Sequence, residues 1–182
     1  MSPQFFVSLY NYLRISTPTG PKTVNVWRYY IKSGEAEHER RKAEVGKIKD
    51  AAAKKGRDYP RALYQRVWSG KGSPGDIRVV LENGVLSGVL PDDAKAIQDF
   101  ADKNIGVDYG GFVSSFFREC NLMGAEESIW DSVGACRTEA GQIWRCDLLR
   151  WYTKDLVLLP KPGHVAIVDT PPYHGGACQG SM

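Results

Sequence analysis

Residues 105–117 read IGVDYGGFVSSFF and have the pattern of a helix with a well-defined start. Asp108 suits the N-cap position, where a carboxylate accepts hydrogen bonds from the free amides of the first turn. Apolar side chains then recur at helical spacing, at Phe112, Val113, Phe116, Phe117 and Cys120. We therefore predict a helix over about 109–121 with one buried face. Tyr109 would stand at its N-terminal end, where the helix dipole favours negative charge.

A second stretch, residues 154–169, reads KDLVLLPKPGHVAIVD. Its two apolar runs, 155–159 and 164–169, are joined by a tight Pro/Gly loop and predict a buried β-hairpin. His164 opens the second predicted strand. If the sheet packs against the helix, the His164 imidazole can face the helix N-terminus and serve as a general base.

Together the two stretches resemble the NlpC-type branch of the papain-like cysteine peptidases and amidases, which includes the CHAP amidases. That family carries Asp-Cys-Ser-Gly-Phe-Val at the start of a helix, then Gly-Asp-Leu-Val, then His-Val-Gly/Ala-Ile-Val on a strand. The matching positions here are Asp108, Gly111, Phe112 and Val113, then Asp155, Leu156 and Val157, then His164, Val165, Ala166 and Ile167. The resemblance covers about residues 105–170.

The resemblance implies an α+β, papain-like domain in which the helix packs on an antiparallel sheet that includes 155–159 and 164–169. It implies a hydrolase framework for amide bonds of bacterial cell-wall peptides (peptidoglycan). Such enzymes use a Cys nucleophile, a His base and a polar residue that orients the His, with no metal or organic cofactor. Here His164 would be the base, and Asp108 the cap that fixes the nucleophile position.

Tyr109 occupies that nucleophile position, and Gly110 replaces the Ser that follows it. A phenol has a pKa near 10, roughly 1.5 units above that of a thiol, and its ring would fill a cleft built for a scissile carbonyl. Cys120 cannot substitute, because eleven residues of helix place it roughly 16 Å away. We expect the chain to hydrolyse cell-wall peptides poorly or not at all.

The resemblance also implies a third catalytic residue after the His, and His174 is the preferred candidate. Gln179 and Asp169 are the alternatives, and a solvent-exposed tail histidine is an equally good interpretation of His174.

Three interpretations stay open at this point. The chain is a natural pseudoenzyme whose cleft binds a peptide or a protein partner without turnover, or it is an amidase in which Tyr109 is an introduced change. In the third, a helix and hairpin of similar pattern arose in an unrelated α+β domain.

The loop signals of residues 70–75, GKGSPG, divide the chain into an N-terminal region, 1–70, and a region carrying any chemistry, 71–182. Segment 37–57 has eight Lys or Arg against four acids and predicts a basic helix. Since it contains few large apolar residues, we expect a solvated helix or a mobile arm, with His38 solvated. Nucleic acid is disfavoured as a partner, because the segment lacks aromatic residues that could stack on bases.

Three shorter signals lie between the basic segment 37–57 and the helix predicted over about 109–121. Residues 70–75, GKGSPG, predict a loop, and Asn83-Gly84 between two β-branched runs predicts a hairpin turn. Pro91-Asp92-Asp93 predicts the start of a helix that continues through Phe100.

Composition sets the remaining bounds. The 182 residues are 42% apolar and carry a formal net charge of +3, typical of a globular protein. No apolar run is long enough for a membrane span, and the N-terminus lacks the features of a signal peptide. We expect a cytoplasmic protein or one exported by a signal-independent route. The four cysteines form no C-x-x-C pair, so no zinc site is expected.

Overall fold

A computed structural model describes residues 1–26, 35–124, 129, 142–150 and 165–168. Within these ranges the chain is a mostly helical α+β protein with six helices and two small antiparallel sheets. The helices are α1 (Pro3–Asn11), α2 (Glu35–Lys54), α3 (Arg61–Trp68), α4 (Pro74–Ser87), α5 (Ala94–Asn104) and α6 (Tyr109–Glu119). The strands are β1 (Leu13–Ile15), β2 (Lys22–Val24), β3 (Leu148–Arg150) and β4 (Val165–Ile167).

The first sheet pairs β1 with β2, with Arg14 opposite Thr23, and lies against α4 and α5. Two hydrogen bonds between Asn25 and Gln98, each 2.9 Å, fix the end of β2 to α5. Ser16 donates its amide to Glu82 of α4 at 2.7 Å. The N-terminal hairpin is therefore attached to both α4 and α5.

Helix α2 spans the predicted basic segment, but it is neither a mobile arm nor solvated on all sides. Arg41, Val45, Ile48 and Ala52 form a buried stripe on this helix, which packs against α3, α4 and α5. The spacing of four, three and four residues is that of one helical face. Two fully buried aliphatic residues, Val45 and Ile48, at this spacing are enough to pack the helix into the core, although the segment has few large apolar residues. His38 is half-buried, with its ring 4.7 Å from that of Trp68.

The predicted hairpin at Asn83-Gly84 is wrong, because both residues lie inside α4. Gly84 is buried where another helix needs room: a Cβ there would lie 2.7 Å from Leu90 Cδ1 and 3.1 Å from Ile48 Cδ1. The buried Asn83 side chain donates a hydrogen bond to the Tyr64 hydroxyl at 3.2 Å. Both residues thus serve packing between helices rather than a turn.

Other local predictions are confirmed. Residues 69–73 form the connection between α3 and α4, although Pro74 and Gly75 already belong to α4. A capping box of Ser73 and Asp76 begins α4. Asp93 caps α5 through a 2.8 Å hydrogen bond from Ala96, and the helix runs four residues beyond Phe100.

The second sheet pairs β3 with β4, with Leu149 opposite Ala166. Strand β4 lies within the predicted strand 164–169, and its partner among the described residues is β3. The other half of the predicted hairpin, 155–159, lies outside the described residues. Helix α6 packs on this antiparallel pair, in agreement with the predicted α+β class.

One hydrophobic core contains residues of both predicted regions, 1–70 and 71–182. It contains Phe6 and Tyr10 of α1, Val45 and Ile48 of α2, and Phe116 of α6, all less than 4% exposed. No described helix combines the length and apolar character needed to cross a bilayer.

Candidate functional site

Helix α6 begins as the sequence predicts, with Asp108 as its N-cap. The Asp108 carboxylate accepts a hydrogen bond from the Gly111 amide, and its backbone carbonyl accepts one from Phe112 at 2.8 Å. Burial raises the pKa of the Asp108 carboxyl, while the Gly111 hydrogen bond and the charge of Lys71 act in the opposite direction. The cap therefore fixes the first turn of α6 in a partly desolvated setting.

Tyr109, the first residue of α6, is 43% exposed. The position that the resemblance assigns to the nucleophile is thus a helix N-terminus open to solvent. Its neighbour Gly111 is buried, so the first turn faces solvent on one side and the protein on the other.

The buried side of the first turn of α6 contacts the α3–α4 connection, and no local sequence pattern predicts this contact. The Asp108 amide donates to the Gly70 carbonyl at 2.8 Å. A Cβ on Gly111 would lie only 2.8 Å from Lys71 Cα, so the backbones touch. The glycines of the GKGSPG stretch were a signal for a loop, but nothing local in the sequence says what the loop touches.

The same connection also forms hydrogen bonds with side chains of α1 and α6. The Tyr10 hydroxyl donates to the Gly72 carbonyl at 3.1 Å, and Ser115 Oγ lies 3.4 Å from the Lys71 carbonyl. Burial raises the pKa of the Tyr10 phenol, with a smaller opposing effect from a hydrogen bond with Ser115. A neutral, buried phenol thus helps to position the loop on which the start of α6 rests.

Helix α6 lies between two apolar layers. On one side the ring of Phe6 lies 5.4 Å from that of Phe112 and 5.6 Å from that of Phe116. On the other side Val113, 1% exposed, belongs to a small cluster against which Leu148 of β3 and Ile167 of β4 pack. The apolar face predicted from residues 112–120 is therefore buried on both sides.

Strand β4 begins at Val165, the residue after His164 in the sequence, and β4 contacts α6. His164 itself lies outside the described residues, as do the third-residue candidates Asp169, His174 and Gln179. The structure thus places Tyr109 and Asp108 at one helix start and leaves the assignment of the two histidines as a prediction.

Within the described ranges, no group of three His, Cys, Asp or Glu side chains is arranged to hold a metal ion. Cys120 terminates α6 as its C-cap, at the far end from Tyr109. Cys146 lies just before β3 with a positive φ of 71°. Neither of these two thiols therefore lies at the N-terminal end of α6, where Tyr109 is.

Comparisons with known protein families, with curated proteins and with solved structures found no match to this chain. The resemblance to the NlpC-type peptidases therefore rests on the residues quoted above.

Proposed function

We propose that this chain is an NlpC-type, papain-like domain that recognises a bacterial cell-wall peptide and hydrolyses it poorly or not at all. Tyr109 stands at the nucleophile position, His164 is the base that the framework retains, and His174 is the orienting residue. The ligand is a cell-wall peptide, or a protein partner that presents a similar extended segment.

The arrangement of α6 is the observation that carries the proposal. A helix capped by Asp108 opens at an exposed Tyr109, and the body of the same helix packs on β4, which directly follows His164. The positive dipole end of a helix favours a carbonyl or carboxylate oxygen. These are the groups that a peptide presents, so the position suits peptide recognition.

The side chain at 109 argues against turnover. Acyl transfer in this framework needs an atom that attacks the carbonyl as an anion and later leaves. A phenol is a poor substitute for a thiol in both steps, and its ring is far larger than a thiol group. A hydroxyl and an aromatic face in that position can instead bind a peptide.

Replacing Tyr109 with Cys tests the proposal directly. A thiol at a helix N-terminus has a lowered pKa and is a good nucleophile. Since Tyr109 is exposed, the substitution should leave the fold intact. We expect the Tyr109→Cys variant to release soluble fragments from purified peptidoglycan at least tenfold faster than the wild type, as measured by chromatography of the products.

Two controls make the result specific. Tyr109→Ser places a small hydroxyl at the same point and should stay inactive, and Tyr109→Cys combined with His164→Ala should lose the gained activity. The wild type, with four cysteines elsewhere, controls for other thiols.

Hydrolysis by the wild-type chain at ordinary enzyme rates, abolished by His164→Ala, would contradict the expected inactivity. A silent Tyr109→Cys variant would favour a cleft used only for binding. Calorimetry with a soluble muropeptide then decides, because absence of binding by both wild type and variant would overturn the proposal.

A further inference from the structure

Positive charge is concentrated where α2 ends and α3 begins. Residues 54–61 read KKGRDYPR, four cations against one acid, an excess equal to the formal net charge of +3. Every residue of this stretch is exposed. We refer to residues 54–61 as the basic turn.

The rest of α2 is electrically balanced, with five acids and five Lys or Arg over residues 35–50. Its cations are also neutralised locally. Lys42 pairs with Glu39 at 3.0 Å, Lys47 with Glu44 at 2.6 Å and Lys49 with Asp50 at 3.2 Å. The basic character that the sequence assigns to 37–57 is therefore concentrated at the end of the helix.

The cations of the basic turn are different. Lys54, Arg57 and Arg61 make no ion pair with any residue that the structure describes. Lys55 donates to the Leu86 carbonyl at 3.2 Å, which leaves its charge without an acidic partner. The turn thus presents four exposed cations that have no ion-pair partner among the described residues.

The backbone of the basic turn is ordered by a helix-ending motif. Gly56 adopts a left-handed φ of 71°, and the Arg57 amide donates to the Ala52 carbonyl at 3.0 Å. This is the bond of a Schellman motif, which fixes the direction in which the chain leaves α2. A surface that is ordered before binding loses less entropy when a ligand arrives.

An aromatic side chain stands among these charges. Tyr59 is 37% exposed and lies between Arg57 and Arg61, just beyond the segment whose lack of aromatics disfavoured nucleic acid. Cations at a helix C-terminus also compensate the helix dipole, which accounts for Lys54 and Lys55. It does not account for Arg57, Tyr59 and Arg61, which follow the helix end.

Proteins that bind single-stranded nucleic acid without sequence preference place cations along the phosphate backbone and aromatic rings against the bases. We propose that the basic turn is a binding surface for single-stranded nucleic acid, separate from the start of α6. The charges would contact about three phosphates, and Tyr59 would stack on one base.

Fluorescence anisotropy with a labelled 20-nucleotide oligothymidylate tests this. At about 0.1 M salt we expect a Kd of about 1–100 µM for the full chain, the range of non-specific binding. The logarithm of the association constant should fall with the logarithm of salt with a slope of about −2, as for three phosphates of a single strand.

Two triple variants of equal net charge locate the site. Lys54→Gln, Arg57→Gln and Arg61→Gln together should weaken binding at least tenfold and flatten the salt dependence. Lys42→Gln, Lys47→Gln and Lys49→Gln together remove the same charge from ion-paired positions and should change the Kd by no more than about twofold. Equal losses in the two variants would overturn the proposal, since binding would then follow net charge alone.

Substitutions at Tyr59 distinguish the binding of nucleic acid from the binding of other polyanions. Tyr59→Ala should weaken oligothymidylate binding at least fivefold, while Tyr59→Phe retains it. Binding of inorganic polyphosphate, measured by competition, should be the same in all three proteins. If Tyr59→Ala leaves oligothymidylate binding unchanged, the surface recognises charge only and the assignment to nucleic acid is wrong.

Discussion

Gly111 is the residue through which α6 meets the α3–α4 connection, and its lack of a side chain is what allows the contact. The helix start cannot approach the backbone of Gly70 and Lys71 with any other residue at this position. The glycine that matches the NlpC-type pattern at this point therefore has a packing role in this structure.

Gly111→Ala should destabilise the protein by about 1–3 kcal/mol, the usual cost of forcing extra atoms into a packed contact. Alanine is otherwise the better helix former, so the sign of the effect is diagnostic. Urea unfolding followed by circular dichroism would measure the change in the free energy of unfolding.

Gly46 provides the matched control, because it lies within α2 and a Cβ there would have nothing within 4 Å. Gly46→Ala should stabilise the protein by about 0.5–1 kcal/mol. Equal effects of the two substitutions would show that the contact at Gly111 does not constrain the fold.

At the scale of elements, α2 shows that a highly charged helix can be held in the fold by a narrow buried stripe. Its exposed face carries i,i+3 ion pairs, each contributing little in solvent. Its other face places Val45 and Ile48 in the core with no exposed surface. The helix is therefore held by packing rather than by its charges.

Ile48→Ala should lower the free energy of unfolding by about 2–5 kcal/mol, the range for truncating a fully buried aliphatic side chain. The adjacent and exposed Lys47→Ala should change it by less than about 0.5 kcal/mol. Denaturant titrations of both variants would check this, and a small effect at Ile48 would mean that α2 is loosely attached.

The elements that the sequence predicts correctly are those with signals at their own ends. Asp108 and Asp93 cap α6 and α5, and each cap is a local interaction that a few residues specify. The start of the candidate site at Tyr109 could be predicted for the same reason.

The misassigned and unforeseen features depend on distant residues. Asn83-Gly84 has the sequence signature of a turn, but Gly84 lies inside α4. Leu90 and Ile48 pack against it there, and these contacts exist only in the tertiary structure. Likewise no local pattern links Tyr10 to Gly72, 62 residues away. Contacts of this kind position the site and lie beyond single-sequence reasoning.

At the scale of the whole molecule, α1 joins the N-terminal region to the candidate site. Phe6 is fully buried, packs on Phe112 and Phe116 of α6, and belongs to the same core as Ile48 of α2. Residues from both predicted regions, 1–70 and 71–182, therefore share one set of apolar contacts.

Because of this shared core, we expect the chain to unfold in a single cooperative transition. Phe6→Ala should shift that transition as a whole, with a loss of about 3–5 kcal/mol. Far-ultraviolet circular dichroism and tryptophan fluorescence, recorded on the same denaturant series, should give coincident curves. Two separate transitions, with only one moved by the substitution, would contradict a common core.

The connection at residues 69–73 has a consequence for how this protein can vary. Gly70, Lys71 and Gly72 offer three successive carbonyls to Asp108, Ser115 and Tyr10. One inserted or deleted residue would displace all three carbonyls from their donors at once. Relatives that keep the opening of α6 should therefore share the length of this short link even where its residue types drift.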